Sequence, residues 1–186
     1  MPPGVDGAVG VSDAKWFVAI VNPRHEKTVA DKLQKINLET YVAIQQEVHQ
    51  WANGRRKKVD RVVIPSMVFV KCSEQERRRI VTLPYILRFL VNRSGSSANG
   101  LNKPIAVIGE AEMEKLKFML GHSDTPVEFV PTEFRVHDTV RVIRGNLAGL
   151  EGEIRANSDG THTLLVSLSL LGGALLHIPP QDVEKL

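Results

Sequence analysis

The chain has 186 residues, 42% of them hydrophobic and 24% charged, with a single cysteine, Cys72. That composition is ordinary globular material and excludes a disordered polyelectrolyte, an intrachain disulfide framework and a cysteine-based zinc site. The formal net charge is +3, yet residues 1–121 hold 19 Lys+Arg against 12 Asp+Glu (+7) and residues 122–186 hold 5 against 9 (−4), which predicts two modules with different partners.

Residues 1–13 are rich in Gly, Pro and small side chains and read as a flexible leader. Lys15–Val21 is a continuous apolar run of strand length. Asn22 suits an N-cap and Pro23 the first helical position, so a helix is expected from there to about Asn37, with Val29, Ala30, Leu33 and Ile36 on one face. Glu39–Glu47 and Val59–Val70 read as strands, the second punctuated by Pro65. Ser73 and Glu76 stand in capping-box spacing and predict a second helix. Ile86–Val91 is a further strand and Gly109–Leu120 a third helix, so the first module suits an antiparallel sheet with packed helices.

The breaker-rich stretch Gly121–Pro126 marks a change of texture. We place the first module at residues 14–121, a linker at 122–131 and a second module at 132–186. In the second module Thr139–Ile143 alternates, Gly145, Gly149 and Gly152 follow, and short runs recur at Gly152–Ala156, Thr163–Leu170 and Leu175–Ile178, with a hairpin turn at Asp159-Gly160. This pattern predicts a small all-β barrel and makes the whole chain α+β. The Leu-rich stretch Leu164–Leu176 is helix-permissive, but Val166, the threonines and Gly172-Gly173 favour strands there.

Catalysis finds little support. The six histidines are dispersed, and no metalloprotease helix, nucleophile elbow, phosphate-binding loop or dinucleotide fingerprint occurs. No metal or cofactor is expected. The longest apolar stretch is too short and too interrupted to span a bilayer, and no secretory signal is visible, so the expected setting is the cytoplasm and the expected state a monomer.

A family resemblance rests on specific residues. Trp16-Phe17, Asn22-Pro23-Arg24-His25-Glu26-Lys27, Glu39-Thr40-Tyr41-Val42, Trp51, Arg55-Arg56-Lys57-Lys58 and Ile64-Pro65-Ser66-Met67-Val68-Phe69-Val70 resemble, in order, the NGN domain of NusG-family transcription elongation factors. Asp138–Gly145 and Leu147-Ala148-Gly149-Leu150-Glu151-Gly152 resemble a KOW domain. The Trp51 and Leu147–Gly152 segments resemble the UpxY-type antiterminators of capsule operons, relatives of RfaH. One departure stands out: the family's Phe-Pro-Gly-Tyr is here Ile64-Pro65-Ser66-Met67.

The resemblance implies a factor that binds the clamp helices of RNA polymerase, suppresses pausing or termination, and recruits a small-subunit ribosomal protein or Rho through the second module. It also leaves two alternatives: a housekeeping NusG supporting Rho-dependent termination, and a ribosome-associated RNA-binding protein. For the polymerase-facing depression the candidates are Trp16, Tyr41, Ile64, Pro65 and Met67, with Phe17 and Phe69 assigned to the core. Four adjacent cations, Arg55, Arg56, Lys57 and Lys58, stay solvated and suit weak, non-specific contact with a DNA backbone. Arg61 joins that set, and so does Arg24, whose charge at a helix start is adverse to the dipole. Leu147 and Leu150 are expected to be exposed at a turn tip as the second module's partner contacts. Gly145, Gly149 and Gly152 supply tight turns or positive φ.

Overall fold

The computed structural model describes residues 13–92, 103–130, 138–156, 162–168 and 171–186. Residues 1–12 of the leader and the Asp159-Gly160 turn lie outside the described residues. In chain order the elements are β1 (Lys15–Ile20), α1 (Glu26–Gln34), β2 (Glu39–Tyr41), β3 (Ile44–Gln50), β4 (Arg56–Val62), β5 (Met67–Cys72), α2 (Glu74–Ile80), β6 (Arg88–Phe89), β7 (Val107–Ile108) and α3 (Glu110–His122). They continue with β8 (Glu128–Val130), β9 (Thr139–Val142), β10 (Glu151–Ala156), β11 (His162–Leu168), β12 (Gly172–His177) and β13 (Val183–Lys185).

The strands form three antiparallel sheets. One runs β2-β5-β1-β6, with β7 also on β1; a second runs β13-β9-β10-β11-β12-β8; β3 and β4 make a separate two-stranded ribbon. This is the α+β architecture the periodicity predicts, with β-strands rather than helix across the described part of Leu164–Leu176.

Alternation along β1 divides the first sheet into two faces. Phe17, Ala19, Val68, Val70 and Cys72 pack with Val29, Ala30 and Leu33 of α1 on one side. Trp16, Val18 and Phe69 pack with Met113, Leu116, Met119 and Leu120 of α3 on the other. The same cluster continues into the second sheet through Val140, Val142, Leu147, Leu150, Leu164 and Leu176.

Several boundaries differ from the sequence reading. The run Glu39–Glu47 splits at Val42-Ala43, and Val59–Val70 splits at the turn Pro65-Ser66, where proline has no N–H for a ladder and Ser66 takes φ +62°. Helix α1 begins at Glu26, not at Pro23; its N-cap position is His25, which makes no side-chain cap, and Arg24 sits in the turn before it at φ +68°. The reason lies at Glu26. Its buried carboxylate accepts a hydrogen bond from the Ser66 N–H at 2.7 Å, and the chain turns at Pro23-Arg24 before entering the helix there. Helix α2 starts as the capping box dictates, Ser73 and Glu76 satisfying each other's backbone donors.

Candidate binding surfaces

The Trp16 face is ordered in rows across the sheet. Trp16 lies beside Lys71, which pairs with Glu39; Val18 lies beside Phe69, which pairs with Tyr41; Ile20 lies beside Met67. Phe69 is core, as expected, and shares the face of Trp16 and Tyr41: on β5 it is two residues from Met67, and period-two alternation keeps them together. The Phe69 and Tyr41 rings meet at 6.1 Å.

Helix α3 covers the first rows. Trp16 is 1% exposed, its indole N–H donates to Glu110 at 3.0 Å, and Lys117 lies 4.8 Å over its ring. Lys71 binds the same Glu110 carboxylate at 3.1 Å. Trp16 is thus sealed, not presented. Ile64, 2% exposed, is likewise floor and not surface. Tyr41 and Met67 remain half-buried and Pro65 is exposed, so the accessible part of the expected depression is Tyr41, Pro65 and Met67. Burial pushes the Tyr41 phenol up to about 12, which keeps it a neutral hydrogen-bonding group.

The β3–β4 ribbon is the opposite kind of surface. Every residue from Trp51 to Asp60 is exposed, with the turn closed by Trp51 N–H to Arg55 C=O and Gly54 N–H to Trp51 C=O, both 2.9 Å, and with Gly54 at φ +78°. The four adjacent cations are split: Arg55 ends the turn, while Arg56, Lys57 and Lys58 lie on β4 opposite Gln50, His49 and Val48. Side chains therefore alternate between the two faces instead of forming one cluster.

Arg61 is not a free cation. It ion-pairs with Glu47, and its guanidinium also donates to Gln45 at 3.2 Å and to the Val127 carbonyl at 2.9 Å. Buried Gln45 donates to the Thr125 carbonyl at 2.8 Å and accepts from the Val127 N–H at 2.8 Å. The ribbon base thus ties down residues 125–127, part of the expected linker. Neither Gln45 nor this role for Arg61 is readable from local spacing, because the partners lie 66 to 82 residues away.

In the second sheet Leu147 and Leu150 are buried, at 8% and 4% exposure, which overturns their expected exposure. The loop folds inward as a compact turn, with Gly149 N–H to Val142 C=O at 2.8 Å and Leu150 N–H to Leu147 C=O at 3.0 Å. Leu150 lines a cleft of about 390 Å³ with Glu114, Lys115 and Phe118 of α3, and Leu147 faces a smaller one beside His122–Thr125. Asn146 adds a hydrogen bond to Asp124 at 2.8 Å. Gly145 and Gly149 take φ of +80° and +90°, and a Cβ at Gly152 would lie 2.5 Å from the Leu165 carbonyl oxygen. Among the described residues no three His, Cys, Asp or Glu side chains converge as a metal site, and no helix is long and apolar enough to cross a membrane.

A family model described as transcription termination factor nusG matches residues 14–117, more than half of the chain and the part holding both surfaces. The chain belongs to the NusG family. No curated protein matches this NusG-family chain. Among solved structures it is similar to one of Thermotoga maritima NusG described for its domain interaction, with 18% identity, 93% of this chain and 97% of that one covered, and a TM-score of 0.48. It is also similar to a chain of the MjSpt4:Spt5 complex in conformation B, with 16% identity, 92% and 96% coverage, and a TM-score of 0.27.

Proposed function

We propose that this NusG-family chain is a transcription elongation and antitermination factor that binds the clamp helices of RNA polymerase with the open end of the Trp16 face. The observation that carries this reading is the family match over residues 14–117, which contains the half-open Tyr41 and Met67 beside exposed Pro65. The action is non-covalent: the factor favours the elongating state of polymerase by binding that state better. Met67 and Ile64 stand where larger aromatics are usual in the family, and methionine adapts to irregular partners. Arg55, Arg56, Lys57 and Lys58, exposed on the ribbon, and Arg24, exposed in its turn, supply weak backbone contact with nearby DNA.

The second module, KOW-like in its Asp138–Gly152 sequence, recruits a ribosomal small-subunit protein or Rho. A partner that reads Leu147 and Leu150 must first displace them from the clefts beside α3. The likeness of the Trp51 and Leu147–Gly152 segments to UpxY-type factors supports a specialised role at capsular polysaccharide operons. The housekeeping reading is favoured by the family's description as a termination factor; the two predict opposite signs in a Rho-dependent termination assay.

The test is co-purification with core RNA polymerase. Wild type should be recovered and Met67→Asp, a half-buried rim position, should not. Ile64→Asp is unsuitable because it would place a charge in the core. Equal recovery of wild type and Met67→Asp would remove the assigned surface.

A further inference from the structure

The open end of the Trp16 face has a border that its apolar residues do not explain. Two rows cross the sheet there. In the first, Leu90 donates its N–H to the Val18 carbonyl at 2.8 Å, Val18 lies beside Phe69, and Phe69 pairs with Tyr41. In the second, Arg88 on β6 stands directly opposite Ile20, and Ile20 directly opposite Met67 on β5. Directly paired residues project from the same side of a sheet, so Arg88 shares the face of Ile20 and Met67, while Phe89 packs on the α1 side. Leu90, Ile20, Tyr41 and Met67 are each half-buried against the Trp16 core. Strand β6 ends the path β2-β5-β1-β6, so Arg88 stands exposed at the rim of this surface.

The two sides of this end carry different charge. On the β2 side, Lys117 lies 5.9 Å from the Tyr41 ring and is balanced by Glu114 at 3.4 Å and Glu39 at 4.0 Å. On the β6 side, no ion pair or hydrogen bond holds the Arg88 guanidinium among the described residues. An apolar depression with one uncompensated cation on one rim is asymmetric. A helix laid in it meets favourable charge in one orientation and not in the reverse. Charge at an interface rim sets register, partner choice and association rate more than affinity. Arginine suits the position, because its planar fork takes a carboxylate bidentately and its stem can extend the apolar border. We infer that Arg88 is a specificity-determining residue of the polymerase surface, pairing with a carboxylate of the clamp helix that lies over Ile20 and Met67 and so fixing that helix's orientation. This rests on the reading of the Tyr41–Met67 surface given above and names the charge its partner must carry.

The experiment measures binding of the full chain to core RNA polymerase free of nucleic acid. It is run at about 0.1 M and about 1 M salt, between which the screening length falls from ~10 Å to ~3 Å. Arg88→Glu should weaken binding about tenfold at the lower salt, chiefly through slower association, and much less at the higher. Arg88→Lys, which keeps the charge, should recover the association rate. Polymerase variants in which each acidic clamp-helix residue is in turn changed to Lys complete the cycle: one of them should bind Arg88→Glu better than it binds wild type. Met67→Asp is the control for the surface itself. Loss of binding by Met67→Asp with wild-type binding by Arg88→Glu at both salts would overturn the role of Arg88 and leave the surface standing. Wild-type binding by both variants would remove the surface as well. A loss in Arg88→Glu that appears only once DNA is added would make Arg88 a phosphate contact and overturn the inference, as would a loss that no clamp-helix change reverses.

Discussion

Trp16 and Trp51 stand at opposite extremes of one module. Trp16 sits on a central strand, its ring under α3 and its N–H held by Glu110; Trp51 sits at the end of a two-stranded ribbon, 52% exposed with the His49 ring beside it. The same side chain serves as keystone in one region and as open surface in the other. What decides between them is whether a distant element arrives to cover it, not the residues next to it.

The largest effect that separates the two regions is stability. Trp16→Ala should cost about 3–5 kcal/mol, because it opens a large cavity and removes the buried hydrogen-bond donor facing Glu110. Trp51→Ala should stay within about 0.5 kcal/mol. Urea unfolding of the two variants measures both, and similar losses would erase the distinction. Next in size, Gln45→Ala should cost about 1–3 kcal/mol, since the Val127 N–H and Thr125 carbonyl lose a buried partner. A neutral result there would mean that the ribbon base does not hold residues 125–127.

Smaller effects follow on the sheet side. Ser66 holds φ +62°, a conformation that costs a non-glycine residue roughly 1–2 kcal/mol, partly offset in a glycine variant by a more flexible unfolded chain. Ser66→Gly should therefore stabilise by about 0.5 kcal/mol in the same unfolding experiment, and a loss would show that the serine side chain contributes there. The smallest effect is in the pH profile. Tyr41 titrates at about 12 in the fold against 10.0 when free, so the folded state holds its proton longer. Its contribution is intact below pH 10 and is lost as pH rises toward 12. Tyr41→Phe should flatten the alkaline limb of stability, whereas Trp51→Phe should not change it.

The elements were largely legible and the coverings were not. The Ser73/Glu76 capping box, the apolar run of β1 and the β texture after residue 138 follow from local pattern, and the structure has them. The start of α1 was misread because Asn22-Pro23 has good local start chemistry, whereas the boundary is set by a contact 40 residues away, Glu26 with Ser66. Phe17 and Phe69 are both core, as expected, on opposite faces of the first sheet. Burial of Trp16, Leu147 and Leu150 depends on α3 and on neighbouring loops remote in sequence, and Arg61 was read as a free cation because Glu47, Gln45 and Val127 are not its sequence neighbours. The exposed cations Arg55–Lys58 were legible because adjacent like charges cannot be buried together.

Amide hydrogen exchange of the full chain, alone and with core RNA polymerase, tests the central claim most directly. The account predicts new protection at residues 39–43 and 64–67, around Tyr41, Pro65 and Met67, with Trp16 already protected in the free protein. Protection confined to the turn at 145–150, or no change at 39–43 and 64–67 on a demonstrably formed complex, would contradict it.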